Sequence, residues 1–221
     1  MNLNRNASFA CIAALMATCG DLLVLLVVNS QRTGVTLQQS SIILTLGGLF
    51  GCLSMPFYSL GYAAVARLLR PTARIAAAII LFGGIAFAIV CPLIHGLMWM
   101  AIRSQIATNA LSSSDPMAAV VAQGGIVLDL WIMGVVLATV ISISIVRAGI
   151  VRPRFIPLWF ACLNPITLVL VIGMVGSFGT VGRSYILPMA PNLAHIGFFV
   201  ALSWYLHSGK MQQSKAVSSV Q

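Results

Sequence analysis

Six long runs of apolar residues dominate the sequence and constrain its fold more than any other feature. A helix needs about 20 mostly apolar residues, each adding 1.5 Å, to cross a bilayer. The six runs cover residues 8–29, 41–66, 75–102, 117–145, 155–176 and 186–207. Transmembrane β-strands alternate in polarity and are about half as long. The sequence therefore predicts an all-α, polytopic bundle of six transmembrane helices.

The charged residues support this fold class and exclude others. The chain is 60% hydrophobic and 7% charged, which excludes an ordinary soluble domain. Its net charge is +9, but the basic residues lie between the apolar runs, so the predicted partner is a lipid bilayer and not a nucleic acid. The polar segment 208–221 is rich in Ser and Gln and is predicted to be a disordered tail.

The basic residues also predict the orientation of the helices. Nine of the 12 Lys and Arg fall on one side: Arg5, Arg67, Arg70, Arg74, Arg147, Arg152, Arg154, Lys210 and Lys215. Arg32, Arg103 and Arg183 fall on the other side. Because cytoplasmic loops carry the excess of Lys and Arg, both termini are predicted to be cytoplasmic.

Several kinds of site are absent from the sequence. The five cysteines all lie in apolar runs and form no C-x-x-C pair, so neither disulfides nor a zinc site are predicted. There is no glycine-rich phosphate loop, no H-E-x-x-H and no G-x-S-x-G motif. Thr18-Cys19-Gly20-Asp21 approaches the G-x-G-D motif of intramembrane aspartyl proteases, but Thr18 stands where glycine is required.

Four ionisable side chains lie inside the predicted spans and form the predicted catalytic set: Asp21, His95, Asp129 and His195. A charge in lipid costs about 2.5–3.5 kcal/mol on insertion scales, so such residues are functional candidates. By sequence position, Asp21, His95 and His195 lie about 10–14 Å below the outer ends of their helices, and Asp129 about 18 Å below. We expect one cavity in the outer half of the bilayer to collect them.

The predicted substrate-binding residues are Asn164, Tyr58, Asn192 and Trp131. Competing structural roles exist for some of these polar residues. Asn164 precedes Pro165 and would satisfy a broken helix, while His95 and His195 would serve as neutral hydrogen-bond partners between helices. Small residues accompany both aspartates, with Ala14 and Ala17 beside Asp21 and Gly125 beside Asp129, and small residues suit close helix packing.

A weak internal echo relates the two halves of the chain. Helices 1 and 4 each carry an Asp, and helices 3 and 6 each carry a Pro followed by a His: Pro92 and His95, Pro191 and His195. An inverted repeat of three helices would be a common transporter plan, although chance is the better explanation of so few matches.

Three short motifs carry a resemblance to a known group of proteins. They are Gly20-Asp21-Leu22-Leu23, the segment Pro56-Phe57-Tyr58-Ser59-Leu60-Gly61-Tyr62, and Leu163-Asn164-Pro165. With the six-helix layout, they resemble small bacterial multi-pass membrane proteins that are catalogued only as a domain of unknown function. The resemblance implies a location in the bacterial inner membrane and implies no activity.

Several functions are compatible with this pattern. A carboxylic acid in a low-dielectric site can hold a proton, and a neutral His can accept one, so acid–base chemistry on an apolar small molecule or lipid is one hypothesis. The spans carry no internal Arg to bind an anionic group. A small proton-coupled transporter and a structural or accessory membrane subunit are the alternatives.

No cofactor or metal is predicted. Haem or a metal held through His95 and His195 is a weaker alternative, because two histidines at matching depth lack any supporting local spacing.

Overall fold

The computed structural model describes residues 2–29, 33–34, 37–107, 125–151 and 155–218, with the backbone alone at 37–38, 105–107 and 209–218. All regular secondary structure within these residues is helical. Residues 117–124, which begin the predicted fourth span, lie outside the described part of the chain.

The helices follow one another with short connections. They are α1 (Leu3–Val28), α2 (Leu37–Ser54), α3 (Tyr58–Leu69), α4 (Arg74–Ala107), α5 (Gly125–Val151), α6 (Leu158–Cys162), α7 (Pro165–Gly176), α8 (Gly179–Val181) and α9 (Leu187–Ser218). A 3₁₀ turn, Met55–Phe57, joins α2 to α3, and a π-helical turn, Gly182–Ile186, joins α8 to α9.

Five helical segments are long and apolar enough to cross a membrane. They are Leu3–Val28, Gln39–Leu69, Arg74–Ser104, Gly125–Val151 and Gly179–Ser208. Each overlaps one of the predicted spans, so the protein is an all-helical membrane protein by the length and composition of its helices.

The predicted span 155–176 differs from the other five because it is not one continuous helix. It consists of α6 and α7, separated at Leu163 and Asn164. Asn164 has extended backbone angles, and its side chain accepts a hydrogen bond from the Thr167 amide at 3.1 Å. Because Pro165 cannot donate a helical hydrogen bond, a new helix begins here with Asn164 as its N-cap.

The two ends of this broken segment contact the two ends of the membrane-length part of α9. Near its start, the backbone oxygen of Phe155 accepts a hydrogen bond from the Tyr205 hydroxyl at 3.0 Å. At its end, Gly176 lies so close to α9 that an added Cβ would be 2.8 Å from the Leu187 amide nitrogen. The segment 155–176 therefore runs antiparallel to α9 along residues 187–205.

The last helix extends beyond the predicted span 186–207. Its backbone remains helical through Ser218, across residues predicted to form a disordered tail. Lys210, Met211, Gln212, Gln213 and Ala216 are good helix formers, so they can continue a helix that the preceding turns have already nucleated.

Helix α1 lies at the centre of the described bundle and packs against α2, α3 and α9, while α4 packs against α2, α3 and α5. The main core joins alanines of α1 to Tyr58, Tyr62, Phe198 and Phe199, all of which are buried. This arrangement brings parts of α1, α3, α4 and α9 together.

Candidate functional site

Four polar side chains from four helices meet around Asp21 of α1. The Asn192 amide of α9 donates to Asp21 Oδ2 at 2.6 Å, and the Tyr58 hydroxyl of α3 donates to Asn192 Oδ1 at 2.8 Å. His95 Nδ1 of α4 lies 3.4 Å from Asp21 Oδ1. We call Tyr58, Asn192, Asp21 and His95 the Asp21 cluster.

The local structure of α3 explains how Tyr58 reaches this cluster. Pro56 lies in the 3₁₀ turn that ends at Phe57, and Tyr58 is the first residue of α3. Tyr62 follows one turn later on the same helical face, and both side chains are buried. Buried tyrosine hydroxyls need hydrogen-bond partners, and α9 provides one for each of them.

His195 of α9 lies beside the Asp21 cluster, but both of its ring nitrogens are already engaged. Nδ1 is 2.7 Å from the Pro191 carbonyl oxygen, so it carries the proton and donates. Nε2 is 2.7 Å from the Tyr62 hydroxyl and therefore accepts from it. The ring also stacks on Tyr58 and Phe87 at centroid distances of 4.7 and 5.0 Å. This geometry holds His195 as a neutral packing and hydrogen-bonding residue.

His95 differs from His195 because one ring nitrogen is available. Its buried Nε2 has no hydrogen-bond partner among the described residues. The ring packs directly against Gly51 of α2, where any larger side chain would overlap it. Glycine at position 51 thus makes room for the imidazole beside Asp21.

Close packing of Gly20 of α1 against Gly47 and Gly51 of α2, which we call the glycine seam, holds the two helices together next to Asp21. A Cβ added to Gly20 would lie 2.7 Å from the Gly47 carbonyl oxygen and 2.9 Å from the Gly51 amide nitrogen. Gly47 and Gly51 are four residues apart, as in the small-xxx-small packing of membrane helices. The backbones therefore approach more closely than any residue with a side chain would allow.

The cluster is buried but not sealed. The Asp21 side chain retains 17% of its accessible surface, and the His95 side chain retains 10%. A small reacting group can therefore reach the Asp21 carboxyl from the surface of the bundle, whereas His95 Nε2 is buried against Gly51.

The Asp21 cluster can exchange a proton but is not arranged as a metal site. Asp21 is held by one amide donor and lies beside an imidazole, so a proton added to either group can be shared with the other. No group of three or more His, Cys, Asp or Glu side chains lies together in the described part of the chain. Ligation of haem or metal through His195 Nε2 would require Tyr62 to give up its hydrogen bond.

The structure brings together some of the predicted site residues and leaves others apart. Tyr58, Asn192, Asp21 and His95 meet, with His195 adjacent. Asp129 and Trp131 are exposed on α5, with Trp131 44% exposed, so the expected cavity does not collect them. Asn164 caps α7, and its amide also donates to Ala161 O at 3.0 Å and to Thr167 Oγ1 at 2.8 Å. The geometry of Asn164 therefore fits its structural role at the helix break, which was the alternative to substrate binding.

The position of Asp129 has a simple physical reason. The buried face of α5 follows Val127, Gly134, Ala138 and Ile141, which recur at helical spacing. Asp129 is two residues after Val127 and lies about 200° around the helix from it. The small-residue face through Gly125 that was expected to point inward points outward instead.

Two parts of the site were not predicted. Tyr62 was missed, although its spacing of four residues from Tyr58 in an apolar span is a usable signal. The seating of His95 on Gly51 was also missed, although the spacing of Gly47 and Gly51 indicates close helix packing.

The helices and the buried polar cluster define the protein as a helical membrane protein. The sequence model of a family described as a family of unknown function (DUF6796) matches residues 1–209. The chain therefore belongs to that family, which agrees with the resemblance seen in its motifs. No curated protein and no solved structure matches the chain.

Proposed function

We propose that Asp21 and His95 form an acid–base pair that acts on an apolar or lipid-like substrate. The main support for this proposal is the continuous series of contacts from Tyr58 through Asn192 to Asp21 and His95, which joins α1, α3, α4 and α9. A purely structural cross-link between helices would be served at lower cost by a neutral amide, because an ionisable group is expensive in lipid.

In this scheme the four residues have separate roles. Asp21 exchanges a proton with the substrate through its partly exposed carboxyl, and His95 takes up or returns that proton through Nδ1. Asn192 and Tyr58 are positioning residues, since they fix the carboxyl through its Oδ2 atom. Asp129, Asn164 and Trp131 have no place in this reaction, because the contacts of the cluster do not include them. His195 stacks on Tyr58, but both of its ring nitrogens are already engaged, so it takes no part in the proton exchange.

The substrate class follows from the surroundings of the pair. The flanking helices expose large apolar side chains, including Leu22 of α1 and Leu93 of α4, at 41% and 51%. In a bilayer such side chains contact acyl chains, so a molecule that reaches the partly exposed Asp21 arrives from lipid. An apolar or lipid-like molecule meets that requirement.

A proton-coupled transporter is the second candidate. The Asp21 cluster ties α1, α3 and α4 to α9, and a helix irregularity lies close to three of its members. Tyr58 follows the 3₁₀ turn at Pro56, and both α4 and α9 contain an internal proline, Pro92 and Pro191. Movable helices linked through a protonatable residue are a common transporter design.

The broken segment α6–α7 supports a sixth crossing. Helix α7 alone has 12 residues and reaches about 18 Å, which is too short for a bilayer. The whole segment 155–176, however, runs along α9 from Tyr205 to Leu187. We therefore infer one six-helix domain over residues 1–207 in a bacterial inner membrane, with both termini cytoplasmic.

Reporter fusions test this topology. We expect an alkaline phosphatase fused after Lys210 to be inactive and a green fluorescent protein at the same site to be fluorescent. The same reporters fused in front of Met1 of the full chain should give the same pattern. Opposite results at the two ends would mean that α6–α7 does not cross the membrane.

The acid–base role is tested by comparing Asp21→Asn with the matched control Asp129→Asn, because both remove one carboxyl from an apolar helix. Untargeted lipid analysis of cells that express each variant is the first measurement. We expect a lipid product in cells with wild-type protein and with Asp129→Asn, and its loss with Asp21→Asn. Purified Asp21→Asn protein should elute and melt like wild type, since the amide keeps the size and can still hydrogen-bond.

The same variants separate the alternatives. An unchanged lipid profile, combined with solute-dependent proton movement in wild-type proteoliposomes that Asp21→Asn abolishes, would replace the enzyme with the transporter. A wild-type phenotype of Asp21→Asn in both assays would leave a structural subunit and refute proton chemistry by this pair.

A further inference from the structure

A cavity far from the Asp21 cluster lies where α3 ends and α4 begins. It has a volume of about 800 Å³ and is lined by residues 63–82 of these two helices and the turn between them. Cavities of about 300–1,000 Å³ are typical of ligand-binding sites. Its position and lining differ from those of the proposed acid–base site.

Three arginines give this cavity its charge. Arg67, Arg70 and Arg74 all line it, and all three are exposed. The two acidic residues that the structure describes, Asp21 and Asp129, are not among its lining residues. Guanidinium groups bind phosphate with two parallel hydrogen bonds, which makes a phosphate group the best-matched anion. The N-terminus of α4 at Arg74 adds a favourable helix dipole.

The rest of the lining is apolar and continues along the helices. Ala63, Ala78, Leu81 and Phe82 belong to it, and Phe82 is 68% exposed. The alanines leave space beside the helices, while the exposed phenylalanine offers an apolar surface. A free phosphate gains nothing from an apolar surface, whereas an acyl chain packs favourably against it.

The cavity lies at a membrane surface, where a lipid headgroup would be, whichever side of the membrane this turn faces. The turn that carries Arg70 joins two segments of membrane length, Gln39–Leu69 and Arg74–Ser104. The arginines therefore lie at the membrane surface, and the apolar wall runs from there toward the bilayer interior. Basic pockets between transmembrane helices are a known way to hold anionic lipid headgroups.

We propose that this cavity binds an anionic phospholipid. The phosphate group contacts Arg67, Arg70 and Arg74, and an acyl chain lies along Ala78 and Phe82. This binding is independent of the acid–base pair, so either proposal can fail without the other.

Native mass spectrometry of the purified full chain, titrated with phosphatidylglycerol or with phosphatidylcholine, tests the site. The test variant replaces Arg67, Arg70 and Arg74 with Gln. The matched control replaces Arg5, Arg103 and Arg183 with Gln, which removes the same charge elsewhere. At about fivefold per cation, we expect the test variant to lose about 100-fold in phosphatidylglycerol affinity. The control should retain most of it, and phosphatidylcholine should bind weakly throughout.

Two further measurements distinguish a lipid from free phosphate. Ala78→Trp fills the apolar part of the cavity and should weaken phosphatidylglycerol binding, while inorganic phosphate should not displace the lipid. Displacement by inorganic phosphate together with full binding to Ala78→Trp would assign the site to a free anion. If the triple variant does not fold, Arg70→Gln alone should still lower affinity about fivefold. Equal phosphatidylglycerol affinity in the Arg70→Gln variant and wild type would overturn the proposal.

Discussion

Asp21 and Asp129 are both carboxyls in long apolar helices, yet their surroundings differ completely. Asp21 contacts an amide and an imidazole from two other helices, and its backbone is held by a glycine seam. Asp129 is exposed on α5. The first position has the partners that a buried ionisable group requires, whereas Asp129 has no comparable contact within the described residues.

The difference shows which property of a helix decides the role of a polar residue. By sequence position, both aspartates lie at least about 10 Å inside their predicted spans, but their rotational positions differ. Asp21 shares a face with the buried residues Ala14 and Ala17, whereas Asp129 lies opposite the buried face of α5. Rotation toward the bundle, and not depth alone, distinguishes the two.

Among variants that test this comparison, Asp21→Leu should cause the largest loss of stability. The change removes the partner of the Asn192 amide and of His95 Nδ1 and leaves both polar groups unpaired in the bundle. Breaking a buried pair of this kind costs about 3–5 kcal/mol. We expect a loss of that size in the free energy of unfolding, measured by steric trapping in bicelles, and a change below about 0.5 kcal/mol for Asp129→Leu.

A smaller effect is expected from Gly20→Ala. The added Cβ would meet the backbone of α2 at 2.7 Å, so the two helices must separate. Overpacking of this kind costs about 1–3 kcal/mol. Gly125→Ala is the matched control one turn before Asp129, where the nearest atom is 3.8 Å away. If thermal midpoints of the two variants were equal, the glycine seam would not be holding α1 against α2.

The smallest effect belongs to Tyr58→Phe, which removes one hydroxyl and its hydrogen bond to Asn192. Interhelical hydrogen bonds in membranes contribute about 0.6 kcal/mol on average. We expect a stability loss near that value and a larger loss of activity, because Asn192 would be free to turn away from Asp21. Tyr205→Phe, which removes an exposed hydroxyl bonded to Phe155 O, should leave activity unchanged.

The sequence was sufficient to predict the helical class and the positions of most spans, since these depend on apolar length. It also singled out Asp21, because a charge in lipid is costly. The break at Asn164-Pro165 was also visible as a pattern. The sequence did not show which helices are neighbours, because apolar runs of similar composition carry little information about the rotation or pairing of helices. The contacts of Tyr62 and Gly51 therefore could not be predicted. Asp129 was predicted to share a cavity with other polar residues, and the described part of α5 does not place it in one.

Infrared difference spectroscopy of protonated carboxyl groups tests most directly whether Asp21 is the residue that exchanges a proton. The chain has three acidic residues, so each carboxyl band can be assigned by substitution. Over a pH titration in nanodiscs, we expect a carboxyl band that Asp21→Asn removes, that Asn192→Ala shifts in frequency, and that Asp129→Asn leaves unchanged. A titration in which Asp21→Asn alters nothing, while Asp129→Asn removes the band, would contradict the central assignment.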